Sequence, residues 1–332
     1  MAIHDVAARF YREQLGRGWV PGYLTRRGFG PDVQRHWQVG YAPASWDTLL
    51  QRLRTAGYPD SLIESAGLAR RTRTGTLADT FRDRAVLPIR DPHGRIVAFI
   101  GRAADDADPG VPRYLNSPTT PLYRKSHVLF GLWEASAALR RGALPVITEG
   151  PLDAIAISIA DGGRYAPVAL CGTALTARHV AVLRQACDLT ARGVLVAFDA
   201  DSSGLRAAVR AYHLLSPVSG AAAAAVLPHG RDPAQILADC GRESLATLLA
   251  YRKPLADLVV DAEITIWSER LRFAEGQVGA LRAAAATIAA MSARDVARQV
   301  CRLAELLGLD HSAVTEAVTD AVTSGASKTG IR

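Results

Sequence analysis

The spacing of apolar residues divides the chain into three stretches, and the first of them, residues 1–140, mixes short helical and strand-like pieces. Two apolar runs, at 84–91 and 94–102, surround an Asp-Pro-His-Gly sequence that is typical of a turn between two strands, so we predict a hairpin there. A helical pattern at 10–29 is interrupted by Gly-Trp-Val-Pro-Gly at 18–22, where we predict a break in the helix.

The second stretch, residues 143–240, alternates apolar runs with amphipathic segments. It predicts strands over 143–150, 166–172, 193–201 and 221–230, and helices over 151–162, 176–187 and 203–215. Pro151 suits the first turn of its helix, and Thr176 is a suitable N-cap. Strands that alternate with helices of this length predict an α/β fold, with a Rossmann-like parallel sheet covered on both faces.

The third stretch, residues 252–322, repeats apolar residues at helical spacing throughout, which predicts a C-terminal helical bundle. We predict that the last residues, 323–332, form a disordered tail. The expected organisation is therefore an N-terminal α+β subdomain at 1–140, the parallel-sheet domain at 143–240 and the bundle.

Composition adds limits to this picture. Hydrophobic residues make up 49% of the chain and charged residues 21%, which is typical of a globular protein, and the formal net charge of +7 favours polyanionic partners. Because no apolar run reaches the length of a membrane span and no signal peptide is evident, we expect a cytoplasmic protein without a membrane partner. No zinc-ligand spacing occurs, so we expect no zinc and four buried, reduced thiols, at Cys171, Cys187, Cys240 and Cys301.

Acidic residues stand at the ends of the predicted strands. Glu149 ends the first strand, and Asp199 and Asp201 end the third. Because the carboxyl ends of parallel strands form the ligand crevice of such a sheet, we expect these side chains to meet there. Asp153 follows Glu149 by one helical turn and is a further candidate. Asp232 precedes a helix, so a metal ligand and an N-cap are both open for it.

Converging carboxylates repel one another unless a cation joins them, and oxygen ligands suit Mg²⁺ or Mn²⁺. Magnesium keeps water and phosphate as its other ligands, which is the chemistry of phosphoryl and nucleotidyl transfer. A lone acid of this kind is usually a solvated loop residue or a cap. The combination of Glu149-Gly150 after one strand with Asp199 and Asp201 after another is much rarer, and it favours a catalytic metal site.

This combination resembles the TOPRIM signature shared by primases, topoisomerases and some nucleases, and the flanking segments are similar to the DnaG-type bacterial DNA primase family. The similar segments lie at 23–43, 81–102, 113–135, 168–184, 198–211 and 255–322. The resemblance implies a primosome DNA-directed RNA polymerase, of bacterial, phage or plasmid origin, that synthesises short RNA primers on single-stranded DNA during DNA replication. Metals held by Glu149, Asp199 and Asp201 would serve catalysis, with Asp153 and Asp232 as further ligands.

Basic residues are concentrated between residues 67 and 125, and guanidinium groups suit phosphates because they are always charged and bind in a bidentate manner. An ordinary solvated basic surface is the alternative, and Arg82-Asp83-Arg84 is compatible with a surface ion-pair run. The resemblance implies contacts to the DNA template or to ribonucleoside triphosphates. These contacts fall on Arg84, Arg102, Arg113, Asn116 and Lys125. Tyr114 is open to base stacking or to packing.

Two departures from the family pattern stand out. The family generally carries a zinc-binding domain before the core and a helicase-binding domain after it, and we expect this chain to lack both. A replicative helicase or a zinc-domain protein acting in trans are therefore open as partners. Many family members have an acid where this chain has Ala234, so one metal site is expected to be weaker.

Two other function classes remain open on the sequence. A TOPRIM nuclease or topoisomerase-like enzyme would share the acids, although a topoisomerase needs a nucleophilic tyrosine on a further domain. A non-catalytic nucleic-acid-binding module of a mobile element would keep the fold, and the three acids Glu149, Asp199 and Asp201 argue against it.

Overall fold

The computed structural model describes residues 2–160 and 162–329 and has an α/β fold. It divides into two compact units, which are described separately below. Unit 1 comprises Met1–Cys187 and Arg231–Thr247, and unit 2 comprises Asp188–Gly230 and Leu248–Arg332.

These units differ from the predicted domain boundaries. The predicted parallel-sheet domain at 143–240 is divided, because its first half belongs to unit 1 and its middle, from Asp188 to Gly230, belongs to unit 2. The segment Arg231–Thr247 returns to unit 1. The sequence pattern identifies helices and strands, but it does not show which of them pack around the same core. The two units are defined by this packing.

Unit 1 contains two small antiparallel sheets, a parallel strand pair and the helices around them, with all elements numbered in chain order. Its helices are α1 (Ala2–Gln14), α2 (Val20–Arg26), α3 (Pro31–His36), α4 (Thr48–Thr55), α5 (Asp60–Ser65), α6 (Leu132–Arg141), α7 (Pro151–Ala160), α8 (Ala177–Ala186) and α11 (Pro233–Ala250), the last of which ends in unit 2. Its strands are β1 (Gly40–Ala42), β2 (Ala69–Arg71), β3 (Leu77–Asp79), β4 (Arg84–Arg90), β5 (Ile96–Ala103), β6 (Tyr114–Asn116), β7 (Leu144–Thr148) and β8 (Tyr165–Ala169).

The predicted hairpin is confirmed as β4 and β5, which pair antiparallel at the centre of a sheet of order β1-β4-β5-β6. Its turn closes with the N–H of Gly94 donating to the carbonyl of Asp91 at 2.9 Å, and Gly94 has a φ of +82°, which favours glycine. β2 and β3 form a separate two-stranded ribbon.

The core of unit 1 lies where α1 packs on the β1-β4-β5-β6 sheet and α4 packs on α1 and β3. Tyr11 and Phe99 meet edge to face at 5.4 Å within a buried apolar cluster. Asp79, the last residue of β3, fixes α4 against the two-stranded ribbon, because its carboxylate accepts the N–H groups of Leu49 at 2.8 Å and of Leu50 at 2.9 Å. A residue outside the helix thus satisfies the amides of its first turn.

One predicted helix break is placed differently by the structure. α2 begins at Val20, inside the predicted break at 18–22, with Pro21 in its first turn. Proline is accepted there because the first amides of a helix have no partner within the helix. A 3-10 turn at Leu15–Arg17 follows α1, so only Gly18 and Trp19 of the predicted break remain outside helical structure.

The β7-α7-β8-α8 segment agrees with the predicted pattern. β7 and β8 are parallel neighbours, and Pro151 is the first residue of α7. Thr176 caps α8, and its hydroxyl accepts the backbone N–H of His179 at 3.1 Å. The helix α11 is broken at Gly241, where φ is +81°.

Unit 2 combines a three-stranded sheet with the C-terminal helices. Its elements are α9 (Leu189–Arg192), β9 (Val194–Ala197), α10 (Ser202–Leu215), β10 (Ala222–Ala225), β11 (Arg252–Pro254), α12 (Leu255–Thr265), α13 (Ala274–Ala289), α14 (Ala293–Leu307) and α15 (His311–Thr329). β10 runs parallel to β9 and antiparallel to β11. The alanine-rich segment is therefore a strand, as predicted, although alanine favours helices, because tertiary pairing overrides propensity.

The predicted helical bundle forms from α12 to α15. α13 contacts the three other helices, and Val259, Ala284, Leu303 and Val314 are buried between them. The prediction of a disordered tail at 323–332 differs from the structure, since α15 continues to Thr329; residues 330–332 lie outside the described residues.

Two other expectations concern thiols and membranes. Cys171 and Cys187 are buried, as expected, but Cys240 and Cys301 are exposed, which corrects the prediction of four buried thiols. Both exposed cysteines lie on outward-facing positions of helices, which composition alone does not identify.

Among the described helices, none is long and apolar enough to cross a membrane.

Candidate metal and nucleic-acid binding sites

Glu149 lies in unit 1, directly after β7, in the turn that leads into α7. It is half-buried, and its backbone carbonyl accepts the N–H of Cys171 at 3.1 Å. The next residue has to be small, because a Cβ on Gly150 would lie 2.7 Å from a carboxylate oxygen of Asp153. The Glu-Gly pair thus reflects a tight turn that presents the carboxylate at the end of a parallel strand.

Asp153 has a structural role in this turn. One of its oxygens accepts the N–H of Gly150 and the other accepts the N–H of Ala234, both at 3.2 Å, and the residue is buried. It therefore connects the first turns of α7 and α11. These bonds use both carboxylate oxygens, so backbone amides compete with a metal for this predicted ligand.

Asp232 is the N-cap of α11. Its carboxylate accepts the N–H of Gln235 at 2.6 Å, and the side-chain oxygen of Gln235 accepts the N–H of Asp232 at 3.1 Å. This reciprocal pair is a capping box. The sequence left a metal ligand and an N-cap open for Asp232, and the hydrogen bonds in unit 1 show the N-cap.

Asp199 and Asp201 lie in unit 2, between β9 and α10. Asp201 caps α10 with one oxygen, Oδ1, which accepts the N–H groups of Ser203 and Gly204 at 2.8 Å each. Asp201 is exposed, and its Oδ2 has no hydrogen-bond partner among the described residues. A side chain on Gly204 would overlap the carbonyl oxygen of Asp199, which explains the spacing of Asp-x-Asp-x-x-Gly.

The predicted metal ligands are divided between the two units, with Glu149, Asp153 and Asp232 in unit 1 and Asp199 and Asp201 in unit 2. In the part of the chain that the structure describes, no three His, Cys, Asp or Glu side chains form a group that could hold a metal ion. The donors nevertheless suit a hard cation, since all are carboxylates and Asp201 keeps one exposed oxygen.

Arg84 and Arg102 are predicted phosphate contacts that the structure places inside the fold of unit 1. Arg84 is 5% exposed and donates to the carbonyls of Gly101 at 3.3 Å and Pro112 at 2.9 Å. Arg102 is 1% exposed. It donates to the carbonyl of Ala103 and the carboxylate of Asp105, and its guanidinium lies 4.5 Å from the ring centre of Tyr23.

Both guanidinium groups are therefore engaged by the protein in this structure, and their contact with phosphate stays a prediction. Backbone carbonyls and Asp105 accept hydrogen bonds from these buried guanidinium groups, while Nε of Arg102 has no hydrogen-bond partner among the described residues. Tyr114 lies 6.0 Å from the Arg102 guanidinium and is half-buried, which agrees with the packing alternative.

Asn116 is also engaged by the protein. Its side-chain N–H donates to the carbonyl of Cys171 at 2.9 Å, and its oxygen accepts the hydroxyl of Tyr123 at 3.4 Å. Cys171 in turn donates its N–H to the carbonyl of Glu149, and its φ of +53° is unusual for a residue with a side chain. Asn116 thus stabilises the loop that contacts the Glu149 backbone.

Arg113 and Lys125 are the two predicted contacts with exposed side chains. Arg113 has 56% of its side chain exposed and lies 3.9 Å from Asp105. Lys125 is exposed as well, and its backbone carbonyl is hydrogen-bonded to Nε2 of His179 at 2.9 Å.

His179 is a residue that sequence reasoning missed. It is fully buried, its Nδ1 accepts the N–H of Thr176 at 3.3 Å, and its Nε2–H therefore donates to Lys125. Thr176 also donates its hydroxyl to the carbonyl of Ser126 at 2.8 Å. Burial lowers the pKa of His179, which favours the neutral ring that these bonds require. A histidine three residues after a capping threonine was the available signal.

A second missed feature is a basic cavity on unit 1, of about 530 Å³, around Trp46. Trp46 is 61% exposed, and the guanidinium of Arg82 stacks 3.7 Å from its ring centre. The other cations that line the cavity are Arg70, Arg71 and Arg73. An exposed tryptophan close to an arginine-rich segment was the signal.

The neighbouring residue Asp83 does not take part in a run of ion pairs. It accepts the indole N–H of Trp19 at 3.0 Å and the hydroxyl of Tyr41 at 2.8 Å. The ion-pair interpretation of residues 82–84 is therefore wrong. Arg82 instead lines the cavity around Trp46, where its guanidinium group stacks on the indole ring.

Comparisons with known proteins agree with this architecture. Residues 10–136 match the family described as DNA primase catalytic core, N-terminal domain, and residues 146–237 match the Toprim-like family. The DNA primase of Mycobacterium tuberculosis is 36% identical over 288 residues, which are 85% of this chain and 44% of that protein. The chain thus spans less than half the length of this curated relative.

Solved structures give the same result. The RNA polymerase domain of Mycobacterium tuberculosis primase DnaG, in complex with double-stranded DNA, has a TM-score of 0.79 and 34% identity, and the match covers 93% of this chain and 98% of that one. A DnaG primase catalytic domain bound to single-stranded DNA has a TM-score of 0.73 and 27% identity, with 94% and 96% covered.

The two family matches define the class, a primase catalytic core joined to a Toprim-like region. The chain belongs to the DnaG-type DNA primase family, and its match covers nearly all of the RNA polymerase domain of the Mycobacterium tuberculosis primase, at 98%.

Proposed function

We propose that this chain is the RNA-synthesising core of a DNA primase, a DNA-directed RNA polymerase that makes short RNA primers on single-stranded DNA from ribonucleoside triphosphates. The observation that carries the proposal is the pair of acidic turns in a chain of this family. Glu149 follows β7, and Asp199 and Asp201 follow β9, each strand having a parallel neighbour.

We propose Glu149, Asp199 and Asp201 as the carboxylates that bind Mg²⁺ or Mn²⁺. The bound metal would promote attack of a 3′-hydroxyl on the α-phosphate of a nucleotide, with release of pyrophosphate, by neutralising the charge that develops on the phosphates. Asp201 supports this role while it caps α10, because the cap uses only Oδ1. The cap also fixes the side chain at the start of the helix, so that little freedom remains to be lost on binding.

Asp153 and Asp232 remain proposed metal ligands of secondary importance. Asp153 already accepts two backbone N–H groups and Asp232 accepts one, and a metal would have to share or displace these bonds. Ala234 is 2% exposed and donates its N–H to Asp153, so the position where many relatives have an acid contributes only a backbone amide here.

The exposed cations are the proposed contacts to phosphates. Arg113 and Lys125 have side chains free to reach a triphosphate or a template phosphate, while Arg84, Arg102 and Asn116 position the backbone around them. For Lys125 that positioning comes from His179, which holds the lysine backbone and leaves its ammonium group exposed.

The cavity around Trp46 is a proposed contact surface for single-stranded DNA. Aromatic rings stack bases irrespective of sequence, and nearby arginines hold the phosphates. Of its four arginines, only Arg71 forms a salt bridge among the described residues, with Glu64 at 3.1 Å. A helicase and a zinc-domain protein acting in trans stay predictions on the resemblance alone.

The proposal is tested by incubating the pure protein with single-stranded DNA, Mg²⁺ or Mn²⁺ and labelled ribonucleotides, and by separating the products on a gel. We expect short RNA from the wild type and from the control Glu243→Gln, an exposed glutamate on α11, and none from Glu149→Gln. Equal synthesis by Glu149→Gln at unchanged Tm would refute the catalytic assignment. Cleaved DNA in place of RNA would favour a TOPRIM nuclease, and DNA binding without any product would favour a non-catalytic module.

A further inference from the structure

Unit 2 contains a cavity of about 430 Å³ whose lining includes none of the predicted catalytic acids. It lies between the end of α10, the strands β10 and β11, and the start of α14. Its volume falls in the range of roughly 300–1,000 Å³ that is usual for small-ligand sites.

The charge of this cavity is strongly one-sided. Its lining carries four cations, Arg252, Lys253, Arg294 and Arg298, and a single acid, Asp295. Lys253 pairs with Asp261 at 2.9 Å, and Arg298 pairs with Asp257, so both side chains are fixed by acids outside the lining.

The single acid is already occupied. Asp295 accepts the hydroxyl of Tyr212 at 2.7 Å and that of Ser292 at 3.0 Å through the same oxygen, and Arg298 lies 3.7 Å from its other oxygen. Tyr212 is 2% exposed, so this network is a pre-formed polar floor. The acid therefore opposes an anionic ligand only weakly.

The two remaining arginines are available at the mouth. Arg294 donates one N–H to the carbonyl of Gly220 at 2.6 Å, which leaves further guanidinium donors unused. Arg252 is exposed and has neither an ion pair nor a side-chain hydrogen bond among the described residues. A solvated basic surface would spread such charges, whereas here they line one concavity together with the alanines of β10 and Pro254.

We propose that this cavity binds a nucleoside di- or triphosphate, with Arg252 and Arg294 on the phosphates and the apolar wall of β10 and Pro254 against the base or the sugar. Guanidinium groups match phosphate oxygens in geometry and charge, and small apolar side chains accept a flat ring. The site is separate from nucleotide binding during RNA synthesis and does not depend on that function.

The test measures binding of GTP by calorimetry in the presence of EDTA, which suppresses metal-dependent binding at the catalytic acids. The intact chain is compared with Arg252→Ser/Arg294→Ser and with the control Arg282→Ser, an exposed arginine on α13 outside the cavity. Saturable binding is expected for the wild type and the control. In the double variant it should weaken about a hundredfold or more, because each arginine removed takes away a charge-assisted bond that contributes about tenfold.

Binding of other ligands shows which part of the nucleotide the cavity recognises. Guanosine, which lacks phosphates, should bind much more weakly than GTP. Equal affinity of the double variant and the wild type, or no saturable binding at millimolar GTP, would overturn the proposal. If tripolyphosphate binds as tightly as GTP, the nucleoside contributes nothing and that part of the proposal is wrong. If a DNA strand without a terminal phosphate displaces GTP at lower concentration, the cavity is a DNA-binding site.

Discussion

Nε2 of the buried His179 donates a hydrogen bond of 2.9 Å to the backbone carbonyl of Lys125, although 54 residues separate them in the sequence. The histidine thereby ties the first turn of α8 to a loop whose lysine side chain is exposed. If Lys125 contacts phosphate, the orientation of that contact depends on a residue that touches no ligand.

We therefore predict that His179→Ala raises the KM for ribonucleotides more than it lowers kcat, because the loop loses its anchor and Lys125 its fixed position. The size should be about tenfold, as for one buried hydrogen bond of roughly 1.5 kcal/mol. His179→Gln, which keeps an N–H donor, should recover part of the loss. Steady-state kinetics of primer extension test this, and a purely structural role would lower Tm without changing the ratio of the two constants.

Asp201 combines a helix cap with a proposed metal contact, and two substitutions separate these roles. Asp201→Asn keeps an oxygen for the amides of Ser203 and Gly204, so Tm should stay close to that of the wild type while RNA synthesis falls at least about tenfold. Asp201→Ala should also lose about 1 kcal/mol of stability.

Asp188 provides the matched control for Asp201, because it caps α9 in the same way, with one oxygen accepting the amides of Thr190 and Ala191. Asp188→Asn should leave synthesis unchanged. Full activity of Asp201→Asn would show that the carboxylate serves the helix alone.

Single-stranded DNA binding should depend on the cavity around Trp46. We expect Trp46→Ala to weaken binding about tenfold, since stacking contributes roughly 1–3 kcal/mol per base. Arg70→Ser and Arg73→Ser should each reduce the slope of log K against log salt by about 0.7. Fluorescence anisotropy at several salt concentrations measures both effects, with Phe273→Ala, an exposed aromatic on unit 2, as the control. A slope unaffected by either arginine would identify this cavity as ordinary surface.

Asp79 should make stability depend on pH in an unusual direction. Burial raises its pKa to about 6, despite the two amides that it accepts. A carboxyl group whose pKa is higher in the folded protein favours folding when protonated, and this contribution is lost as pH rises from about 4 to 6. The amount is up to about 3 kcal/mol.

Denaturation of the wild type and of Asp79→Asn, followed from pH 7 to about pH 4, tests this sign. The difference in unfolding free energy between the two proteins should shift in favour of the wild type as pH falls through this window. A constant difference would mean that Asp79 keeps an ordinary pKa. The asparagine variant should be less stable at low pH, since it offers one oxygen where the carboxyl group offers two.

Local signals in the sequence were sufficient for much of the fold. The turn at Asp91–Gly94, the cap at Thr176 and the proline that starts α7 act within a few residues of themselves, so their structural effect is present in the sequence pattern. The same holds for the positions of Glu149 and Asp199, which follow from where apolar strand runs end.

The sequence by itself therefore determined most of the elements, the family and the places of the acidic residues, because periodicity, turn chemistry and motif spacing are short-range properties. The tertiary structure alone decided how the polar groups are used. Arg84 and Arg102 became buried supports, Asp153 was bound to an amide 81 residues away, and His179 was placed against Lys125. A buried charge or amide takes whichever partner the folded core brings near it, and sequence spacing carries no information on that partner.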